Sequence, residues 1–529
     1  MTLIQRSNTM GEIVAAFGVC HSPHLLTRPP DENPEHQELS IAAMRQLGKI
    51  LDETHPTPPA SAARLNRLLF ETKFMKTVDV GQVIDEGRWT TYQKLLILGT
   101  ALTIILDGVD NQLLGNAVPS LMKEWSLPRG AFSTVLALSP LGMMIGGAIG
   151  GILGDRIGRR TALLSSVISF AALTLAISTV NSLMLLGVLR FLAGLGLGGA
   201  MPNAAALASE YVPRRQRPFA VTLTIVCIPL GGTLAAFLSA RVIPLYGWRA
   251  LFILGGIIPV VLALILFKIL PESPRYLASR RERWSELIAL LRKIGHNVPS
   301  DAAFIEAGTA QTPKSRASMR DLFVPQFRRD TLGLFGSFFF CLLVNYIGIL
   351  LLVATLTGAG FSQSAASNAL GWWNIGGVGG AILGALIIQR FGSRVTMLGL
   401  SGIAIASAFA VAAMPLDPQN AFTLLLMFIL LGGTLNAVQT TMYALAANVY
   451  PTEIRGTGIG TAVAVGRIGN VLASYVGIFA LNHGGAPAYF STFAIGMIIV
   501  FMSLAVIRRH IDRTVNEIAG VKVGAPAGH

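Results

Sequence analysis

Charge is scarce in this sequence. Asp, Glu, Lys and Arg make up 13% of the 529 residues, against about 25% in soluble globular domains. That shortage argues against an ordinary soluble protein and points to long stretches with no charge at all. Cysteine is scarcer still. Cys20, Cys227 and Cys341 stand far apart without metal-ligand spacing, so neither a disulfide framework nor a thiolate metal site is expected, and no cofactor is. Histidine is missing from every long apolar run, His483 falling in a connection between two of them. The usual near-neutral titrating group is therefore absent from those runs.

Apolar residues fill the space that charge leaves. The chain is 52% hydrophobic with 56 glycines, and its mean hydropathy is +0.60. A membrane span needs about twenty apolar residues. Counted that way from residue 93, about twelve spans emerge, the first six at roughly 93–118, 131–153, 161–180, 183–208, 218–240 and 249–270. The second six lie at roughly 331–355, 365–388, 395–414, 421–446, 457–480 and 487–507. The expected fold is an all-α membrane protein of twelve transmembrane helices in two six-helix, pseudo-symmetric bundles. The expected domains are a polar extension at 1–90, bundles at 91–270 and 331–508, a polar linker at 271–330 and a tail at 509–529.

The formal net charge of +14 raises nucleic acid as a partner, but no nucleic-acid motif or aromatic-basic interleaving accompanies it. Its placement has another explanation. Arg156, Arg159 and Arg160 follow the second span, Arg214, Arg215 and Arg217 the fourth, and Arg275, Arg280, Arg281, Arg283, Arg292 and Lys293 the sixth. Arg390 and Arg394 follow the eighth, Arg455 the tenth, and Arg508, Arg509 and Arg513 the last. All of these fall on one side, which the positive-inside rule makes cytoplasmic, with both termini there.

The two halves echo each other. Gly154-Asp155-Arg156-Ile157-Gly158-Arg159-Arg160 is answered by Gln389-Arg390-Phe391-Gly392-Ser393-Arg394. Glu210-Tyr211-Val212-Pro213 with Arg217 is answered by Tyr450-Pro451-Thr452-Glu453-Ile454-Arg455. Matched repeats of this kind build secondary transporters, with substrate held near the midplane between them. Gly142, Gly146, Gly150 and Gly154 recur every four residues, a stripe for close helix contact.

Mid-span ionisable residues are costly and default to function. Asp107 and Asp110 sit near the middle of the first span, three residues apart on one helix face. Two carboxylates that close do not readily ionise together, so proton carriage is expected of them; the alternative is a permanent structural ion pair. Arg190 lies a third of the way into the fourth span and Arg467 midway through the eleventh.

Gly154 to Arg160 resembles the signature of the major facilitator superfamily between its second and third spans. Arg190-Phe191-Leu192-Ala193-Gly194-Leu195-Gly196-Leu197-Gly198-Gly199 resembles that family's fourth-span motif, and Pro271-Glu272-Ser273-Pro274-Arg275 is also similar. Within the superfamily, Asp107-Gly108-Val109-Asp110, led in by Val78-Asp79-Val80 and Ile84-Asp85, most resembles the aromatic acid:proton symporters. Sugar porters share the Pro-Glu-Ser-Pro-Arg element but usually carry a further acidic and lysine motif after the last span. Here that stretch reads Arg508-Arg509-His510-Ile511-Asp512-Arg513. The resemblance implies a monomeric, non-enzymatic importer of an aromatic carboxylate of hydroxybenzoate, protocatechuate or gallate type, coupled to protons, in the inner (cytoplasmic) membrane. The alternatives are a porter for sugars or other small organic acids, or a drug-type exporter.

For such a substrate a guanidinium is the natural grip, because it meets a carboxylate with two parallel hydrogen bonds. Arg467 is the preferred ligand, while Arg190 matches a motif arginine that the resemblance associates with proton transfer or helix packing. Either is alternatively a buried partner of Asp107 or Asp110. Asn345, Tyr346, Trp372, Trp373, Asn374, Asn436, Gln439 and Tyr443 are candidates to line a cavity for a flat ring, with plain helix packing as the alternative. Asp155, Arg156, Arg159 and Arg160, with Glu210 and Arg455 in the second echo, are candidates for gating. The alternative for the first group is topology determination by positive charge.

The first residues do not fit a transporter. Glu12 to His24, ending in His21-Ser22-Pro23-His24, resembles the start of extradiol ring-cleavage dioxygenases, in which such a histidine binds non-haem iron. The resemblance fades near His55, before further iron ligands, so an inert fusion remnant or a misplaced start is expected, with no metal site.

Overall fold

The computed structural model describes residues 77–299, 302–305 and 318–511. The histidine pair His21 and His24, and the tail from Asp512 onward, lie outside the described residues.

Among the described residues, ten helices are long and apolar enough to cross a membrane. They are α2 (Thr91–Trp125), α3 (Phe132–Ile157), α4 (Arg159–Ile177), α5 (Leu183–Tyr211), α6 (Arg217–Ile269), α9 (Arg328–Gly358), α10 (Gln363–Phe391), α11 (Ser393–Ala413), α12 (Ala421–Val449) and α13 (Thr452–Val506). Two are far too long for one crossing. α6 has 53 residues and α13 has 55, about 80 Å each at 1.5 Å per residue, against a hydrocarbon core of about 30 Å. Each breaks at one glycine, Gly247 at φ 78° and Gly485 at φ 61°, in backbone regions that side chains with a Cβ rarely enter. Counting the arms separately gives twelve spans, and both breaks fall in gaps that hydropathy leaves between spans.

Local chemistry sets the ends. α2 begins with a capping box: Thr90 N–H donates to Gln93 Oε1 (2.8 Å) and Gln93 N–H to Thr90 Oγ1 (3.4 Å), satisfying donors that a helix start leaves orphaned. The glycine stripe of α3 lies on α5: a Cβ at Gly142, Gly146 or Gly150 would run into the backbone of Phe191, Leu195 or Gly199. The C-terminal half repeats this, with Gly376 and Gly380 of α10 against the backbone of Ile429 and Gly433 on α12.

One boundary differs from expectation. The polar extension was expected to run to residue 90, but a compact unit starts at Thr77. β1 (Thr77–Asp79) pairs in parallel with β2 (Ala303–Ile305), Thr77 opposite Ala303. α1 (Val80–Asp85) then packs Val80 and Ile84 into an apolar cluster with Leu277 of α7 (Pro274–Ala278) and Leu287, Leu290 and Leu291 of α8 (Trp284–Ile294). The linker thus holds a small core of its own, tied to the N-terminal bundle by an ion pair between Asp85 and Arg217. The physical reason is α8, whose apolar residues recur at helical spacing and need a covered face.

Candidate functional site

The first-span acids part company in the structure. Asp110 is fully buried and faces α5, where Arg190 Nη1 donates to its Oδ2 at 3.1 Å. Arg190 Nη2 also reaches the Asp110 carbonyl (3.2 Å) and Ser139 Oγ (3.4 Å), and Thr174 donates to the same carboxylate. α2, α3, α4 and α5 are thereby joined around one buried pair. Such a pair offsets its desolvation only when its remaining hydrogen-bonding groups are met, and here most are. Arg190 is the partner of Asp110.

Asp107, one turn earlier, faces a cavity of about 100 Å³ between the two halves. Among the described residues, no ion pair holds it. Arg467 of α13 lines the same cavity and donates to the carbonyl of Met143 on α3, so its guanidinium spans the halves. Around them stand Asn345 and Tyr346 of α9, Asn374 of α10, and Asn436, Gln439 and Tyr443 of α12. Leu342, Ile349 and Val463 supply apolar wall. A cavity with an acid, a guanidinium, amides and phenol hydroxyls set in apolar surface can orient a small organic anion.

Neither tryptophan joins it. Trp373 is fully buried, its ring 5.8 Å from Phe493 and packed over Gly348. Trp372 is 39% exposed, against Phe237 and in an apolar recess with Phe361 and Phe428. Successive helical residues are about 100° apart, so with Asn374 turned to the cavity its two predecessors face elsewhere. Sequence reasoning also passed over Asn111, Gln112, Thr440 and Asn470, all of which line the cavity. The signal for the first two was their place directly after Asp110 in an apolar span.

Hydrogen bonds joining the halves run from mid-depth to the face opposite the arginines. Asn111 donates to Tyr346 Oη (3.1 Å), and Gln112 and Asn374 exchange two bonds (3.1 and 2.9 Å). Beyond these, Arg129 donates to the Ala354 carbonyl (3.1 Å), Gln363 to the Asn116 carbonyl (2.8 Å) and Ser474 to the Ser133 carbonyl (2.9 Å). The cavity's lining runs from these bonds towards the arginine-rich face, past Met201, Thr440 and Tyr443.

On the arginine-rich face the candidate gating residues have bonds to their own half or to the linker. Asp155 pairs with Arg159, and the Arg156 carbonyl accepts from Tyr276 Oη (3.3 Å). Arg160 N–H donates to Glu272 Oε1 (2.8 Å), Glu210 accepts from Ser273, and Arg455 Nε reaches the Tyr450 carbonyl (3.3 Å). Glu272 is a residue whose role the motif alone did not reveal. It also accepts from Thr161 Oγ1 (3.3 Å), and so holds the first turn of α4.

The family model described as Major Facilitator Superfamily matches residues 100–474 and 333–523. The chain belongs to that superfamily. It is a multi-pass membrane transporter, not an enzyme. Among its relatives, the gallate transporter of Pseudomonas putida is 34% identical over 419 residues, covering 78% of this chain and 91% of that one. The 4-hydroxybenzoate transporter of Pseudomonas aeruginosa is 33% identical, over 78% and 91% respectively. The benzoate transport protein of Acinetobacter baylyi is 30% identical, over 75% and 85%. A solved structure of the xylose transporter from E. coli superposes with a TM-score of 0.61 at 18% identity, over 79% of this chain and 97% of that one, a likeness of fold.

Proposed function

We propose that this superfamily member imports an aromatic carboxylate together with a proton across the inner membrane, by alternating access, as a monomer with its arginine-rich face in the cytoplasm. The observation that carries the reading is the pairing of Arg190 with Asp110. It leaves Arg467 and Asp107 for the cavity, one to grip a carboxylate and one to exchange a proton with whatever fills the space. The names of the relatives, which cite gallate, 4-hydroxybenzoate and benzoate, support the substrate class.

Arg467 meets the carboxylate with its planar fork, while Tyr346 and Tyr443 offer ring surface and the amides of Asn374, Asn436 and Gln439 offer polar contacts. With one proton per monoanion the cycle is electroneutral, and the pH gradient alone drives about tenfold accumulation per unit. Asp155 and its neighbours, now bonded to the N-terminal half and the linker, would exchange partners when the arginine-rich face closes.

The test is uptake of labelled benzoate, 4-hydroxybenzoate, protocatechuate and gallate into proteoliposomes with an imposed pH gradient. At least one should accumulate with the gradient and not without it. Asp107→Asn should keep exchange of substrate but lose gradient-driven accumulation. If no aromatic acid accumulates, the substrate class is wrong; normal accumulation by Asp107→Asn removes the proton role.

A further inference from the structure

The start of α11 repeats the start of α4, but without its acid. Both helices follow a glycine of positive φ, Gly158 at 102° and Gly392 at 78°. In the N-terminal half the segment after α6 supplies Glu272, whose Oε1 accepts from Arg160 N–H at 2.8 Å. In the C-terminal half the matching segment, after α13, brings Arg508, Arg509 and His510 to the matching helix start. With Arg394, Asn448 and Phe391 they line an open recess of about 720 Å³ on the arginine-rich face. Among the described residues, no carboxylate lines it.

Backbone bonds hold the recess in shape. Past Val506 the chain leaves the helix, and Arg508 N–H donates to Asp330 Oδ1 on α9 (2.7 Å). Asn448 Nδ2 donates to the His510 carbonyl (3.1 Å), and Ser393 N–H to the Ile511 carbonyl (2.9 Å). Ile511 N–H returns a bond to Ser393 Oγ (2.8 Å). Of the three guanidiniums, Arg509 is held by the chain, its Nε 3.9 Å from Asp330 Oδ2 and its Nη1 3.4 Å from the Val449 carbonyl. Arg394 and Arg508 are exposed, and among the described residues their side chains make no hydrogen bond or ion pair.

Three guanidiniums against one carboxylate, which stands outside the lining, leave the recess positive. Burial, and after it the charge of Arg394, lowers the His510 pKa from its usual value. A guanidinium fork matches the oxygens of a phosphate, and basic recesses at the ends of membrane helices suit phospholipid headgroups. Beside this one, Phe391, Val395 and Val506 are 55%, 65% and 41% exposed, apolar surface on the side of the lipid chains.

We infer that this recess binds a phosphate group, presented by the headgroup of an anionic phospholipid or as a free phosphate anion. The site is separate from the cavity between the halves and shares none of its residues. The exposed apolar flank favours the lipid as the source.

The experiment is thermal unfolding of the full chain in detergent, titrated with phosphatidylglycerol, phosphatidylcholine or sodium phosphate. Phosphatidylcholine keeps the phosphodiester and the acyl chains but has no net charge. Arg394→Gln with Arg508→Gln removes the two unbonded guanidiniums of the recess. Arg214→Gln with Arg215→Gln removes two exposed ones from the same face outside it. Phosphatidylglycerol should raise the unfolding midpoint at concentrations at least about tenfold lower than phosphatidylcholine. The recess variant should need at least about tenfold more of it, while the control variant should respond like the parent. A response to phosphatidylglycerol alone supports the site with a lipid as its source. An equal response to sodium phosphate, lost in the recess variant, supports the site with a soluble anion. An unchanged response in the recess variant, or an equal loss in both variants, overturns the site. So does the absence of any response to either phosphate.

Discussion

The N-terminal half matches one of its two buried first-span carboxylates, Asp110, to Arg190 and leaves Asp107 facing the cavity. It braces its arginine-rich face with Asp155, Glu272 and Asp85 against Arg159, the start of α4 and Arg217. The C-terminal half does neither in the same places. Gln389 stands where its partner half has Asp155, and Asn448 where it has Glu210, donating to the His510 carbonyl at 3.1 Å. Among the described residues, the acid that half binds at that face is Asp330, accepting from Arg508 N–H at 2.7 Å. Its mid-depth cation, Arg467, is in no ion pair among the described residues and lines the cavity. On the proposed reading, the Asp110–Arg190 pair of the first repeat serves cohesion, while Arg467 of the second and Asp107 of the first are left for the cavity. Breaking the Asp110–Arg190 pair should therefore cost stability, and altering Arg467 should cost binding.

The hardest blow to this contrast is Arg190→Leu. It strands Asp110 in a buried site, and breaking a buried pair from one side costs about 3–5 kcal/mol. Thermal unfolding in detergent should show a fall of several degrees, and the double variant Asp110→Leu with Arg190→Leu should recover most of it. A single variant as stable as the parent would break the comparison at its centre. Next comes Arg467→Lys, which keeps the charge but loses the planar fork. Its half-saturation concentration should rise about tenfold or more with an unfolding midpoint close to the parent's. Unchanged half-saturation would return the arginine to a structural role. The smallest effects lie at the arginine-rich face. Glu272→Gln should cost about 1 kcal/mol, because the carboxylate sits on the first turn of α4. Asp155→Gln copies the C-terminal half into the N-terminal one and breaks only an exposed pair, worth within about 0.5 kcal/mol. A slower uptake rate at unchanged stability would mark Asp155 as a gate; unchanged uptake would leave it a surface charge.

The spans could be read from the sequence because a bilayer demands long uncharged runs, and the paired motifs showed where the chain repeats. Even the breaks at Gly247 and Gly485 lie in recognisable gaps. What could not be read was direction. In a helix apolar all round, nothing distinguishes the face that meets lipid from the face that meets a neighbour, so Trp372 and Trp373 looked as eligible as Asn374. The same blindness left Asp107 and Asp110 equivalent. Only the approach of α5 sends Arg190 to one of them, across 80 residues of sequence. β1 was invisible for another reason: three residues make no pattern until β2 is laid beside them.

The breaks at Gly247 and Gly485 have a consequence for handling the protein. Each turns the chain back within a single residue, and the other connections on that face are short, 126–131, 178–182, 359–362 and 414–420. A protease working from that side has almost no slack chain to seize, since cleavage needs several residues drawn out into an enzyme's cleft. The arginine-rich side offers the long stretch between α6 and α9 and a supply of arginines for trypsin. Trypsin should therefore cut readily in vesicles that present one side and spare those that present the other, and the digest itself becomes a compass for orientation in every reconstitution.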